Sequence, residues 1–146
     1  MLSLGRLNPG VLPRTRSRAV KYLFESHKRE ASPDGRSRRL LYQWLSPAQR
    51  TQLTEKGYFE VLGGTTGKCY RIFPATSMNV IELDEGEREL RGLCFLPLGN
   101  LPMGDTMLAQ KIALETAEPS IRTIAGQFTP VGFRFGQSRF LWQPRL

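Results

Sequence analysis

The sequence predicts an α+β fold: basic helices come first, followed by a small four-stranded antiparallel meander covered by a C-terminal helix, with a candidate late strand after it. Three observations point there. Apolar residues recur at helical spacing from Ser17 to about residue 56, then alternate with period two from Tyr58 to Leu96, and return to helical spacing after Asp105. The expected organisation is a flexible basic arm over residues 1–16 and one α+β domain over 17–126. Within that domain, basic helices occupy 17–45 and the core 46–126, and a basic aromatic tail fills 127–146.

Gly5, Pro9, Gly10 and Pro13 break up the first 16 residues, which carry no periodic apolar pattern. The stretch to Phe24 is acid-free and arginine-bearing, like a transit peptide, but Pro9, Gly10 and Pro13 interrupt the amphipathic helix such a peptide needs. From Ser17 to about Glu30, Val20, Leu23, Phe24 and His27 make one helical face, and Glu25 precedes Arg29 by four residues. Ser32-Pro33-Asp34-Gly35 has turn chemistry. A second helix is expected from Arg36, burying Leu40, Leu41, Trp44 and Leu45. It places Arg36, Arg38 and Arg39 in the first turn, where the macrodipole disfavours cations and an outside anion would relieve them.

Ser46-Pro47-Ala48-Gln49 is a capping box with proline at the first helical position, and Gly57 is the expected stop. Strands are expected at Tyr58–Leu62, Lys68–Phe73, Met78–Leu83 and Arg88–Leu96. Gly63-Gly64-Thr65-Thr66-Gly67 and Asp84-Glu85-Gly86-Glu87 serve as hairpin loops. The alternation places Tyr70 and Ile72, Ile81 and Leu83, and Leu90, Cys94 and Leu96 on one buried face. Pro97, Gly99, Pro102 and Gly104 mark a loop, after which Asp105 caps a helix that turns Leu108 and Ile112 to the sheet. Pro119 kinks that helix, Ile121 and Ile124 continue it, and Gly126 ends it. Val131, Phe133 and Phe135 alternate with Gly132, Arg134 and Gly136 as the late strand, ahead of Phe140 and Trp142.

Of 146 residues, 40% are apolar and 23% charged, a globular balance that argues against wholesale disorder. No apolar run approaches the roughly 18 residues of a membrane span. Two cysteines, Cys69 and Cys94, and one histidine, His27, are too few for a disulfide scaffold or an ordinary zinc site, and reduced, buried thiols in a cytoplasmic protein are expected. The net charge of +8 is unevenly spread. Residues 1–50 hold 11 Lys and Arg against three acids, and residues 51–126 hold seven against ten. Residues 127–146 hold three arginines and no acid. A mildly acidic centre flanked by basic ends is the layout of nucleic-acid-binding arms.

No motif adds catalysis, metal or cofactor. Gly63-Gly64-Thr65-Thr66-Gly67-Lys68 is one residue short of a phosphate-binding P-loop, lacks the Ser or Thr after lysine, and lies between strands instead of opening a helix. The acidic run Glu82, Asp84, Glu85, Glu87 and Glu89 lacks the ligand spacing of a calcium loop and reads as a solvated hairpin. Gly132-Phe133-Arg134-Phe135 departs from the RNA-recognition signature at Val131, Arg134 and Ser138. The aromatics there either complete the core or, interleaved with arginines, stack on bases. An enzyme would need a polar constellation in a deep pocket, such as Asp105 with Lys111 or Arg71.

Several strings between residues 46 and 118, among them Ser46-Pro47-Ala48-Gln49-Arg50, Gly63-Gly64-Thr65-Thr66-Gly67, Met78-Asn79-Val80 and above all Gly104-Asp105-Thr106-Met107-Leu108-Ala109-Gln110-Lys111, resemble an uncharacterised family of small bacterial and phage proteins. The resemblance implies a bacterial or phage origin and carries no activity or site residue.

The expected function is non-catalytic nucleic-acid binding, to RNA or DNA, with low sequence preference, as an accessory component of a nucleoprotein complex. Arg14, Arg16, Arg18, Lys21, Arg36, Arg38 and Arg39 would contact phosphates, with Arg134 and Arg139 assisting. The alternative is a protein–protein adaptor or structural subunit of a larger assembly, its arms ordering on binding. Neither expectation involves a membrane.

Overall fold

The computed structural model describes residues 29–130. The expected arm, most of the expected helix at Ser17–Glu30, His27 and the late strand at 131–136 lie outside them. Within them the chain is α+β, with three helices and a five-stranded sheet.

Helix α1 spans Pro33–Trp44 and starts earlier than expected. Ser32 is its N-cap, its hydroxyl accepting the Gly35 amide at 3.1 Å, with Pro33 at the first helical position. Ser-Pro-Asp-Gly suits a turn and a helix start equally, because both use a short polar side chain to bond a backbone amide. The apolar spacing after it decides for the helix. Its buried line is Ser37, Leu41 and then Leu45, whereas Leu40 and Trp44, expected inside, are 42% and 61% exposed. Packing on the long third helix sets this orientation: a Cβ at Gly104 would lie 2.6 Å from the Ser37 carbonyl, so the two backbones all but touch there.

Helix α2, Pro47–Lys56, has the expected capping box, Ser46 and Gln49 each bonding the other's backbone amide at 3.1 Å, and Gly57 ends it in the left-handed region at φ 77°. It lies beside strand β1, Phe59–Leu62, where the Gln49 amide donates to the Glu60 carbonyl at 2.8 Å and the Glu60 amide donates to Gln52 at 2.9 Å.

Strands β2 (Cys69–Ile72), β3 (Val80–Leu83), β4 (Glu89–Cys94) and β5 (Gly126–Phe128) follow β1 in spatial order, each antiparallel to its neighbour. The fifth strand lies before the position expected for a late strand; the Phe128 ring occupies the space that a side chain at Gly92 would fill. Register corrects the expected one-face alternation. Tyr70 stands opposite Glu82 and Ile72 opposite Val80, so Val80 and Glu82 share the face of Tyr70 and Ile72 while Ile81 and Leu83 point the other way. As the central strand, β3 is buried on both faces, at 4% exposure or less throughout. In β4 the inward apolar residue is Leu93; Leu90 is exposed and Cys94 half-buried, with a register shift beside Leu83.

Helix α3 runs Met103–Ile124. It starts at Pro102 without a side-chain cap, and Asp105 sits in its first turn, where a carboxylate complements the helix dipole. Met107, Leu108, Leu114 and Ile121 join Leu41, Leu45, Leu53, Phe59, Val61, Tyr70, Ile72, Val80 and Leu93 in one core. Ile112, expected against the sheet, is 41% exposed, and Ile124 is 72% exposed. Buried Gln110 and Asn79 pair amide to amide at 2.8 and 2.9 Å, and each also bonds a backbone carbonyl, so neither donor is orphaned. The expected kink falls at Ala117 (φ −138°, ψ 31°), just ahead of Pro119.

Candidate nucleic-acid interface and the buried ionic cluster

The arginines of α1 come from a run that the Ser32 cap places in the second helical turn, not the first. Asp34 occupies the first turn, so the expected conflict with the macrodipole does not arise in that form. Arg36 and Arg39 are exposed, and Arg38 is half-buried. Arg36 Nη1 donates to the Ala31 carbonyl at 3.1 Å and Arg39 Nη2 to the Glu30 carbonyl at 3.3 Å, back onto the helical turn at 29–31. Both partners are neutral. Among the described residues neither guanidinium has a carboxylate within ion-pair distance. Leu40 and Trp44 continue the same exposed side at steps of four residues.

Arg50 belongs to the structure instead. Its Nε donates to the Tyr42 carbonyl at 2.8 Å and its Nη2 to the Gln43 carbonyl at 3.2 Å, with its guanidinium carbon 4.9 Å from the centre of the Tyr42 ring. Carbonyls of the last turn of α1 that lack helical donors are thereby satisfied, and a cation sits at the negative end of the helix.

In the centre of the chain six of the seven bases are matched to acids; exposed Lys56, at the end of α2, is in no ion pair among the described residues. Arg71 pairs with Glu60 at 3.0 Å, Arg88 with Asp84 at 3.1 Å, and Lys111 with Glu115 one turn on. With Arg71 and Lys111 so engaged, neither is ion-paired to Asp105, the acid with which they were grouped as an enzyme constellation. Three more converge on Glu82. Lys68 Nζ lies 3.0 Å from its Oε1, and Arg91 and Arg122 lie 3.2 and 3.1 Å from its Oε2. Glu82 is fully buried, so it does not belong to the solvated hairpin expected of the acidic run. Burial pushes its carboxyl up, and Lys68, Arg122 and Arg91 more than reverse this, leaving it below the ordinary glutamate range.

A second buried carboxylate, Glu118, sits at the kink of α3 and is held by neutral donors. The amides of Thr65 and Thr66 donate to Oε2 at 2.9 and 2.8 Å; Tyr70 Oη donates to Oε1 at 2.7 Å, and the Thr66 hydroxyl also bonds Oε1. Burial alone would raise this carboxyl, but the Thr66 and Tyr70 hydroxyls and the two amides outweigh it and bring the pKa down to about 2. Tyr70 moves the other way, to about 12, through burial and its bond to Glu118, against the opposing contact with Arg122. Arg122 joins the two carboxylates, donating to Tyr70 Oη at 3.0 Å while paired with Glu82.

The kink and the glycines make this cradle possible. Pro119 has no amide to give the Glu115 carbonyl, the helix opens at Ala117, and the Leu114 carbonyl takes the Gly64 amide at 3.0 Å. A Cβ on Gly64 would lie 1.8 Å from the Glu115 carbonyl oxygen, and one on Gly63 would lie 2.2 Å from the Glu118 carboxylate. The loop weighed as a phosphate loop is thus a plain hairpin whose amides face an anion supplied by its own chain.

Of the residues expected to bind phosphate, the described ones, Arg36, Arg38 and Arg39, share α1. Arg14, Arg16, Arg18, Lys21, Arg134 and Arg139 lie outside the described residues. Trp44 was missed as a surface residue because its spacing fits the buried line nearly as well. Among the described residues no group of three His, Cys, Asp or Glu side chains is arranged to hold a metal, and no helix is long and apolar enough to cross a membrane. No family model, curated protein or solved structure matches the chain.

Proposed function

We propose that the protein is a non-catalytic nucleic-acid-binding protein that holds phosphates with low sequence preference, through the exposed side of α1 together with the basic ends of the chain. The observation that carries this reading is a contrast in charge pairing. In the centre six of the seven cations, Lys68, Arg71, Arg88, Arg91, Lys111 and Arg122, are each paired with a carboxylate, Lys56 being the exception. On α1, Arg36 and Arg39 bond to backbone carbonyls and have no carboxylate partner among the described residues. Cations already neutralised by the protein gain little from a polyanion; uncompensated ones release counterions from it and gain the full term.

The test is the salt dependence of oligonucleotide binding by the full chain. Neutralising roughly six phosphates gives a slope of log affinity against log salt near −5. Replacing Arg36 and Arg39 together by glutamine should make that slope shallower by about 2 and leave the fold intact, since the bonds lost are two exposed ones. A salt-independent affinity, or a double variant with an unchanged slope, removes the proposal. The adaptor alternative then gains, with Leu40 and Trp44 as its apolar contact.

A further inference from the structure

We infer that the exposed side of α1 is a stacking platform for unpaired bases, so that the preferred ligand is single-stranded nucleic acid rather than duplex. This rests on the nucleic-acid reading above and narrows it to one ligand class.

Arg36, Leu40 and Trp44 follow one another at steps of four residues, a line of about 12 Å at the helical rise. Arg39 and Gln43 lie one residue to the side of it, and all five are exposed. The aromatic groups nearby differ in how they are used. The Tyr42 ring carries the Arg50 guanidinium, and the Tyr58 ring carries the Arg71 guanidinium and packs on Phe73 at 5.2 Å between centroids. Trp44 has neither a ring nor a cation against it among the described residues and leaves 61% of its surface to water.

An indole on a basic helix face needs a flat apolar partner, and its single N–H is a poor reader of duplex edges. A paired base in a duplex is stacked on both sides and offers no ring face; an unpaired base offers one to any aromatic side chain. Flanking guanidinium groups supply the phosphate contacts on either side of such a base. Leu40 adds apolar area beside the ring, and the Gln43 amide can both donate to and accept from a base edge. The whole combination of cation, aromatic and amide on one face matches a single strand better than a double one.

The experiment reads Trp44 fluorescence in the full chain carrying Trp142→Phe, which keeps an aromatic ring at 142 and leaves Trp44 the sole tryptophan. Oligo(dT) and a mixed-sequence duplex of equal length are titrated at low salt. The expected result is strong quenching by oligo(dT), weak quenching by the duplex, and tighter binding of the single strand. Trp44→Ala should weaken oligo(dT) binding roughly 5- to 100-fold, the loss of one base stack, with the salt slope unchanged, and Trp44→Phe should recover most of it. Equal affinity for duplex and single strand, or a Trp44→Ala variant that binds oligo(dT) as well as its parent, overturns the inference while a steep salt slope leaves the broader reading standing. Absence of binding to either oligonucleotide overturns both, as does a Trp44 signal that answers only to a protein partner.

Discussion

Replacing Glu118 by glutamine separates the charge of this side chain from its shape. A carboxyl at about 2 in the folded chain and an ordinary 4.5 when unfolded stabilises the fold by up to about 3 kcal/mol at neutral pH, at about 1.4 kcal/mol per tenfold step. Full burial of the side chain means that little solvent screening reduces this. Because the folded value is the lower one, the contribution is complete above 4.5 and drains away as pH falls toward 2. More than half of it is gone by pH 3. Glutamine retains one acceptor oxygen for four donors, so either the Thr65 and Thr66 amides or the two hydroxyls face an N–H₂ group. The expected loss at pH 7 is about 2–3 kcal/mol, or about 10–20 °C in melting temperature for a domain of this size. Urea midpoints at pH 7 and pH 3 supply the measurement: the gap between parent and Glu118→Gln should be wide at the first and less than half as wide at the second. A gap of equal width at both values would refute the assignment of the acid-sensitive stability to this carboxylate.

Two further stability outcomes follow from the same region. Gly64→Ala should cost more than about 2 kcal/mol in chemical denaturation, because its methyl group meets the backbone of α3 and not a side chain that can turn away. Glu82→Gln, which leaves Lys68, Arg91 and Arg122 around a neutral buried group, should cost about 3 kcal/mol, whereas Arg91→Gln, at a position 36% exposed with two cations still on Glu82, should cost under about 1 kcal/mol; equal losses for the two would contradict the central role given to the carboxylate.

The local elements were legible because their signals are local. The Ser46 capping box, the Gly57 stop, the strand segments and the Pro119 kink each depend on residues a few positions apart, and all four appear in the fold. What was not legible depends on partners far along the chain. Glu82 reads as a surface acid in an acidic hairpin, yet its three cations come from β4, from the loop before β2 and from beyond the kink of α3. Register hid the rest. In β3 the pairs Val80/Glu82 and Ile81/Leu83 compete for the inner face, and hydropathy favours the second, whereas pairing with Tyr70 and Ile72 selects the first. On α1 a rotation of one residue separates a buried Leu40–Trp44 line from the observed Ser37–Leu41–Leu45 one. The close approach at Gly104 decides between them, and it lies 67 residues from Ser37. The basic cluster of α1 was readable from composition, but that Arg36 and Arg39 meet no carboxylate among the described residues was not, since that depends on which acids the folded centre has already engaged.

The bonds from Gln49 and Gln52 to Glu60 have a consequence for the company this protein keeps. At the outer margin of β1, the amide and carbonyl of Glu60, which would otherwise be open to an incoming strand, are occupied by two side chains of α2. A strand adding at that margin would have to displace both glutamines, which lowers the hazard of ordered self-association. Among the described residues the opposite margin is β5, three residues long, which offers an incoming strand few main-chain groups.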